Sequence, residues 1–284
     1  MAHKNKSNYS AYKERQKKPD AVATKKAHPA AASKTTSSDA PKKLMGKHKK
    51  PQEVYSLEEA NDRLYDVFRN HDFTVVSHEQ RRQLAHFYRL LMDNQKDENF
   101  TRLLTLKDVA IKHFIDSLIF LEFFKPQFPL LDLGTGPGFP GIPLKIMYPK
   151  EKILLGEGVQ RRVNFLKTVR EEMKLENLEI IGRNIDPEFV YPVKSVITRA
   201  VEDIGNTMKN TINCLLDGGH LIFMKGPNAD PELKLAETYK EFYTLENDFK
   251  YSIPKTPHER RLIVYRKIKS PPLEDYEDQD DDKW

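Results

Sequence analysis

Asp132 and four glycines stand close together in the segment LLDLGTGPGFPGIPLKI, with a spacing that suits nucleotide binding. The glycines are Gly134, Gly136, Gly138 and Gly141. Residues without a Cβ leave space for the backbone to approach a bound nucleotide closely. The residues before the loop favour a strand, and those after it favour a helix. The segment therefore predicts a cofactor site at a strand–helix junction.

Two classes of cofactor, and also an ordinary structural turn, are compatible with this loop. Residues 136–141 match the dinucleotide fingerprint G-x-G-x-x-G. However, Pro137 and Pro140 remove N–H donors that a pyrophosphate would need, and Asp132 would set a negative charge beside that anion. S-adenosylmethionine has no phosphate, and its amino and sulfonium groups are cationic. The loop therefore favours a methyltransferase over a dinucleotide enzyme, and either of them over a plain turn.

An acidic residue follows the second apolar run of this region. Glu157 lies 19 residues after Gly138, at the end of a candidate strand. An acid at this position can accept hydrogen bonds from ribose hydroxyls. We favour that role over the alternative, which is a solvated loop acid.

The elements that must position these residues are visible after Pro129, where short apolar runs alternate with helical patterns. This alternation is typical of a parallel α/β sheet. The clearest helix is Arg161–Leu175, and two final runs, Tyr243–Tyr251 and Arg261–Tyr265, predict an antiparallel hairpin. The five parallel strands are expected at Leu130–Leu133, Ile153–Leu155, Leu178–Ile181, Ser195–Thr198 and Leu221–Met224. The predicted fold class is α/β, a Rossmann-like class I methyltransferase sheet that forms the cofactor-binding domain over residues 129–269.

Residues 52–128 predict an N-terminal helical cap on this sheet. The segments Ser56–Glu59 and Ser77–Gln80 both fit the capping box that begins a helix. A third helix is expected from about Leu106, with apolar residues along one side at Val109, Phe114, Leu118 and Leu121.

Charge is strongly segregated along the 284 residues, although the formal net charge is only +5. Residues 1–50 carry 14 Lys/Arg and 3 Asp/Glu, whereas residues 274–283 carry 7 Asp/Glu and 1 Lys, so the chain between them is neutral. Both ends lack the large aliphatic residues whose burial would offset the conformational entropy that a chain loses on folding. We therefore predict a disordered basic arm over 1–51 and a disordered acidic tail over 270–284.

Cysteine and hydropathy patterns limit the class of protein. Cys214 is the single cysteine, which excludes an intramolecular disulfide and a cysteine-based metal cluster. No apolar run is long enough to span a membrane or to serve as a secretory signal. We expect a cytoplasmic protein, a monomer, without metal or membrane partner.

Several motifs together resemble one family, the RsmG (GidB) ribosomal RNA methyltransferases. The resemblance runs from about Asn99 to Lys267. It rests on NFT at 99–101, KHFIDSL at 112–118, DLGTGPGFPGIPLKI at 132–146, RRVNFLKTV at 161–169, ITRAV at 197–201, MKG at 224–226 and HERRLIVYRK at 258–267.

The resemblance implies methylation at N7 of one guanosine in the decoding-region loop of 16S rRNA, with S-adenosyl-L-methionine as cofactor and 16S rRNA or a 30S assembly particle as partner. By the same likeness, Gly134 and Phe139 would line the cofactor loop, Asn184 and Ile185 would flank the adenine, and Arg199 would contact the methionyl end. The expected cofactor-binding residues are Asp132, Gly134, Gly136, Gly138, Phe139, Glu157, Arg183, Asn184, Ile185 and Arg199.

The chain departs from the family pattern at two positions. The family commonly has an acidic residue directly after the position of Arg183, where this chain has Asn184-Ile185-Asp186. The adenine contact is then expected from the backbone or from Asp186. The family's asparagine four residues before Asn99 is Gln95 here.

The chemistry of this reaction asks for positioning rather than for a general base. Guanine N7 has an in-plane lone pair and no proton, so catalysis can come from alignment, which contributes about 7–11 kcal/mol in favourable cases. Guanine O6 and N7 accept hydrogen bonds from Arg or Lys. The candidate catalytic residues are Arg199, Lys225, Arg260, His113 and Asp116.

Each of these candidates also has a structural alternative. Arg199 follows the fourth strand, Lys225 ends the fifth and Arg260 is expected in the hairpin turn; any of the three could instead form a structural ion pair. His113 and Asp116 are i,i+3 neighbours on a helix that could touch each other and only brace the cap.

Two other functions remain compatible with the sequence. One keeps the cofactor and changes the acceptor to a small molecule or a protein. The other is a non-catalytic RNA-binding module on the same fold. The basic arm is expected to bind phosphates without reading sequence; its alternative is a passive, solubilising tail.

Overall fold

The computed structural model describes residues 54–199 and 202–271, apart from the side chains of residues 96–98. The predicted basic arm, and the predicted acidic tail from residue 272 onward, lie outside the described residues.

A seven-stranded sheet forms the centre of the molecule, in the order β3-β2-β1-β4-β5-β7-β6. Strands β1 to β5 are parallel, β7 is antiparallel to β5, and β6 is antiparallel to β7. The bounds are β1 Leu130–Leu133, β2 Ile153–Gly156, β3 Leu178–Ile181, β4 Val193–Arg199, β5 Leu215–Lys225, β6 Tyr243–Ser252 and β7 Glu259–Lys267. The predicted fold class, five parallel strands followed by an antiparallel hairpin, is confirmed.

One predicted position in the hairpin is wrong. Arg260 lies within β7, where it pairs with Tyr251 of β6, rather than in the turn. The turn is shorter than the sequence suggested, and the Ile253 N–H donates to the His258 carbonyl across it at 3.0 Å. A strand position fixes the direction of the Arg260 side chain, because strand side chains alternate between the two faces of a sheet.

The helices surround this sheet, and two of them begin at the predicted serines. They are α1 Leu57–Asn70, α2 His78–Glu98, α3 Leu106–Val109, α4 Asp116–Leu118, α5 Gly141–Met147, α6 Gln160–Glu172, α7 Ile204–Thr211 and α8 Asp230–Ala236. Ser77 and Gln80 form a complete capping box. At Ser56 only half of the box forms: its Oγ accepts from the Glu59 N–H at 3.2 Å, while the Glu59 carboxylate binds Arg63.

The third cap helix is irregular, in contrast to the continuous helix that its periodicity predicts. A π-helical segment, Ala110–Ile115, separates α3 from α4, and a 3-10 segment, Ile119–Glu122, follows α4. Widened π turns occur frequently at functional sites. Here the π segment contains His113, and Asp116 begins the next turn.

Aromatic side chains join the cap and the sheet into one core. The Phe139 ring, from the loop after β1, lies 5.2 Å from Phe87 of α2 and 6.0 Å from Phe114 of the π segment. Phe100 packs against Phe165 of α6 at 4.7 Å. The cap therefore packs over the face of the sheet that carries α5 and α6.

A second cluster covers the opposite face of the sheet. Leu131 and Leu133 of β1 pack there with Ile204 and Met208 of α7 and with Ile185. Among the described residues, no helix combines the length and apolarity that crossing a bilayer requires.

Candidate active site

The loop after β1 is fastened to a buried carboxylate. Asp132 Oδ2 accepts from Thr135 Oγ1 at 2.6 Å and from the Gly141 N–H at 2.7 Å. Asp132 is fully buried, and this burial raises its pKa to about 7. Its Oδ1 has no hydrogen-bond partner within the described part of the chain. In the structure Asp132 therefore holds the loop closed, while its predicted contact with the cofactor stays a prediction.

The glycines of this loop have different environments. Gly134 and Gly136 have positive φ angles of 68° and 61°, which favour glycine, and a Cβ on Gly136 would meet only open space. A Cβ on Gly138 would come within 2.6 Å of Ile142, and one on Gly141 within 2.2 Å of Leu155. The first two glycines thus shape the loop surface, whereas the other two permit tight packing beneath it.

A cavity of about 520 Å³ opens at the carboxyl ends of the parallel strands. Its volume is typical of small-molecule sites, and it lies where the strand order reverses between β1 and β4, which is where open α/β sheets bind ligands. The lining residues are Leu133, Gly134, Gly156, Glu157, Gly158, Arg162, Arg183, Asn184, Ile185, Arg199, Glu202 and Asn210.

Six of the ten predicted cofactor-binding residues line this cavity, and four do not. The six are Gly134, Glu157, Arg183, Asn184, Ile185 and Arg199. The four outside the lining are Asp132, Gly136, Gly138 and Phe139. Phe139 is buried beneath the site against His113 and the cap. Asp132, Gly138 and Phe139 support the loop from below, whereas Gly136 lies at the loop surface beside open space.

The acid at the end of β2 is held in a fixed orientation. Glu157 is buried, and its Oε1 accepts from the Val159 N–H at 2.8 Å. Its Oε2 lies 3.5 Å from Arg162 Nη1. Carboxylate oxygens have further lone pairs, so Glu157 retains acceptor capacity toward the cavity.

The segment after β3 folds back over the end of β2. A Cβ on Gly158 would meet Asn184 Oδ1 at 2.0 Å, and one on Gly156 would meet Ile185 at 2.9 Å. Asp186 is not among the lining residues; its carboxylate pairs with Arg183 at 3.5 Å. The cavity wall therefore consists of Arg183, Asn184 and Ile185 here.

Arg199, at the end of β4, joins the cavity to the cap. Its Nη2 lies 3.0 Å from His113 Nδ1, and its Nη1 donates at 3.2 Å both to Asp116 Oδ2 and to the Lys112 carbonyl. Asp116 Oδ1 accepts from Arg260 Nε at 2.6 Å. The sequence left open whether the His113 and Asp116 side chains touch; in the structure Arg199 bridges them.

His113 is neutral in this cluster. Burial, followed by the nearby Arg199 charge, lowers its pKa to about 3. Its ring stacks on Phe139 at 4.2 Å. Because Nδ1 accepts from Arg199, Nε2 carries the proton and donates to Thr101 Oγ1 at 3.1 Å. Both ring nitrogens are therefore occupied.

Two residues that sequence reasoning did not place in the site support His113. The Gln95 Oε1 accepts from the Thr101 N–H at 2.9 Å, and the Gln95 Nε2 donates to the Thr101 carbonyl at 2.8 Å. Gln95 thus fixes the backbone of the residue whose hydroxyl His113 contacts. The NFT motif contained this signal, because Thr101 is its last residue.

The Lys225 ammonium group contacts a carbonyl and a carboxylate of the protein. Its Nζ donates to the Glu202 carbonyl at 2.6 Å and lies 2.7 Å from Glu232 Oε2. Lys225 is buried and is not a lining residue. This geometry is the structural ion pair that the sequence left open, and a contact with the substrate base stays a prediction. Among the described residues, no group of His, Cys, Asp or Glu could hold a metal ion.

Comparison with known proteins gives the family. The model of the GidB family, described as rRNA small subunit methyltransferase G, matches residues 80–264. The chain belongs to this family. Ribosomal RNA small subunit methyltransferase G 2 of Bdellovibrio bacteriovorus is 66% identical over 230 residues, which cover 81% of this chain and 90% of that protein.

More distant members of the family also match. Ribosomal RNA small subunit methyltransferase G of Mesoplasma florum is 31% identical over 215 residues, covering 73% of this chain and 90% of that protein. Among solved structures, TrmN from Thermus thermophilus aligns with a TM-score of 0.44 at 14% identity, covering 60% of this chain and 51% of that one.

Several family motifs that are distant in sequence meet around Arg199. We call the connected side chains the Arg199 cluster; they are Thr101, His113, Asp116, Arg199 and Arg260. The NFT motif supplies Thr101, KHFIDSL supplies His113 and Asp116, ITRAV supplies Arg199, and HERRLIVYRK supplies Arg260. Four of the seven motifs that carry the family resemblance therefore meet in one connected group of side chains beside the cavity.

Proposed function

We propose that the protein transfers a methyl group from S-adenosyl-L-methionine to N7 of a guanine in the decoding-region loop of 16S rRNA. The observation that carries the proposal is the position of Arg199, which lines the cavity and also joins His113 and, through Asp116, Arg260. A base that enters between the cap and the sheet would meet this cluster beside the bound cofactor.

The residues of the cavity fit S-adenosylmethionine. Leu133 and Ile185 supply apolar surface for a purine, and Glu157 supplies acceptors for ribose hydroxyls. The open space at Gly136 and the adjoining Gly134 leave room for the methionyl end. When bound, the cofactor supplies an electrophilic methyl group on its sulfonium.

The cluster provides orientation rather than proton transfer. Guanine N7 needs no base, and His113 stays neutral with both nitrogens occupied. The Arg260 side chain is 24% exposed beside Asp116, so part of it can contact a substrate. Guanidinium groups donate well to guanine O6. We assign Arg199 and Arg260 to orienting the base so that N7 meets the methyl carbon.

The partner follows from the same proposal. The acceptor is 16S rRNA, free or within an assembling 30S particle, which also locates the reaction in the cytoplasm. The family membership of the chain supports this assignment. The 14 Lys/Arg of residues 1–50 supply phosphate contacts that raise affinity without selecting a base.

The test is methyl transfer from labelled S-adenosylmethionine to three acceptors: naked 16S rRNA, 30S particles and a protein extract. Label at N7 of one guanine of 16S rRNA supports the proposal. Label in protein or in small molecules would replace it with another acceptor class, and RNA binding without any label would indicate a non-catalytic module.

A further inference from the structure

We propose that Glu202 recognises the 6-amino group of the cofactor's adenine. The inference rests on the proposed use of S-adenosylmethionine and adds a specificity residue to its site. Glu202 lies three residues after Arg199, just before α7, and lines the cavity together with Asn210 of that helix.

The shape of the cavity on this side suits a purine ring. Leu133 and Ile185 both line the cavity and both belong to the apolar cluster between the sheet and α7. Glu202 and Asn210 add a polar edge from the α7 side. An apolar surface with a few fixed polar groups at its margin is the usual composition of a site for an aromatic ligand.

The Glu202 carboxylate is held in place before any ligand arrives. Its Oε1 accepts from Thr207 Oγ1 and Asn210 Nδ2, both at 3.2 Å, and its Oε2 accepts from Asn210 Nδ2 at 3.3 Å. Two carboxylate oxygens offer about four acceptor positions in total. Glu202 therefore keeps capacity for a further donor.

Lys225 fixes the backbone of Glu202 without neutralising its side chain. The Lys225 ammonium donates to the Glu202 carbonyl oxygen, whereas its charge is paired with the Glu232 carboxylate at 2.7 Å. The Glu202 carboxylate itself accepts from Thr207 and Asn210, and hydrogen bonds to an ionised acceptor are about twice as strong as neutral ones.

The adenine amino group is a donor of the cofactor that this acceptor can bind from the α7 side of the cavity. Glu157 and Glu202 are the two acids among the residues that line the cavity. Glu157, at the end of β2, is placed for the ribose hydroxyls. Glu202 accepts from Thr207 and Asn210 of α7, and Ile185 belongs to the apolar cluster that packs against the same helix. In a purine ring that lies on the apolar surface of Leu133 and Ile185, the exocyclic amino group supplies the N–H donors, two in number, that a carboxylate at the edge can accept.

The experiment compares the binding of S-adenosylhomocysteine with that of its analogue whose purine carries hydrogen in place of the 6-amino group. Titration calorimetry gives both dissociation constants for the wild type, Glu202→Ala, Glu202→Gln and the control Glu188→Gln. Glu188 is an exposed acid outside the cavity. Thermal melting reports whether each variant is folded.

We expect the wild type and Glu188→Gln to prefer the amino-bearing ligand by about tenfold to a hundredfold, which is the range of a hydrogen bond to a charged group. Glu202→Ala should bring the ratio close to one, and Glu202→Gln should leave an intermediate ratio. If Glu202→Ala does not fold, Glu202→Gln alone decides, since it keeps the side-chain volume.

An unchanged ratio in a folded Glu202 variant, or a wild type that does not discriminate, would overturn the inference. The measurement contains no RNA, so it is independent of the acceptor. A wild type that methylates 16S rRNA but shows a Glu202-independent ratio would overturn this inference alone. A Glu202-dependent ratio without rRNA methylation would instead overturn the proposed function.

Discussion

At the scale of single residues, Arg199 links the cap to the cavity at the carboxyl ends of the strands. One side of its guanidinium contacts His113 and Asp116 from the cap, and the residue also lines the cavity. Its loss would leave a neutral imidazole without a donor and would leave Asp116 paired with Arg260 alone. The proposed alignment of cofactor and base would therefore depend on this side chain.

Replacing Arg199 by alanine should therefore reduce methyl transfer far more than RNA binding. We expect a single-turnover rate at least about 100-fold lower, because small misplacements of reacting groups cost rates of that order. Filter binding should show RNA affinity within a few fold of wild type. Arg170→Ala, which removes a surface arginine of α6, is the control. A normal single-turnover rate in Arg199→Ala would reduce Arg199 to a structural residue.

Asp132 predicts a pH dependence of stability. Its folded pKa of about 7 lies above the ordinary value of 3.8 because of burial. The folded state therefore holds a proton that the unfolded state releases, and this contribution is lost as pH rises through about 7. The free energy of unfolding of the wild type should fall from pH 5 to pH 8 relative to that of Asp132→Asn.

Urea denaturation of both proteins at several pH values measures this difference. The mutant is needed as a reference because His113 has the opposite effect on the free energy of unfolding. Its pKa is lowered in the folded state, so stability is lost as pH falls below about 6.5. His113 is present in both proteins, so it cancels. Parallel curves for the two proteins would contradict the assignment of a raised pKa to Asp132.

At the scale of elements, the loop after β1 separates ligand space from packing. Gly136→Asp should leave the fold intact, since a side chain there enters open space and aspartate tolerates a positive φ better than most residues. Cofactor affinity should be lost, because the carboxylate would occupy that space. Gly141→Ala should instead lower the free energy of unfolding by about 1–3 kcal/mol through overpacking against Leu155.

Calorimetric titration with S-adenosylhomocysteine and urea denaturation of both variants check this pair. Near-wild-type affinity in a folded Gly136→Asp protein would show that the space beside Gly136 is not used. Unchanged stability in Gly141→Ala would show that Leu155 gives way easily.

Regular elements could be predicted from the sequence, whereas the interruptions could not. Strand β1 and the antiparallel hairpin follow from short apolar runs and their spacing. The π segment Ala110–Ile115 does not, because Phe114 fits a regular helix as well. In the structure this segment contacts Phe139 and Arg199, which are remote in sequence. The bridging of His113 and Asp116 by Arg199, and the pairing of Lys225 with Glu232, likewise depend on neighbours that are remote in sequence.

At the scale of the whole molecule, the cap and the sheet form one packed unit. Charge, in contrast, is distributed unevenly along the chain. Phe139 packs against Phe87 and Phe114 of the cap, so the cofactor loop depends on the cap for its position. The surplus of positive charge lies in residues 1–50. Selection of the target base and general attraction to RNA are thus assigned to different parts of the chain.

Deleting residues 1–50 should weaken RNA association and flatten its salt dependence without changing the methylated guanine. Log affinity falls with log salt by about 0.7 per phosphate contact on single strands, so a few engaged lysines are visible in the slope. RNA affinity at several salt concentrations, together with mapping of the modified base, compares the full-length and truncated proteins. An unchanged slope would make the arm a passive tail; a changed target would place selection in the arm.

The strand order near the end of the chain affects how the protein is completed during translation. Strand β6 leaves the ribosome before β7, yet β7 lies between β5 and β6, so β6 has no partner in the sheet until β7 follows. The same late strand brings Arg260 to Asp116, across 144 positions of sequence. Nascent domains fold progressively from the N-terminus. A growing chain that already has its glycine loop therefore still lacks both the sheet edge and the finished Arg199 cluster, and a chain truncated before β7 would lack both permanently.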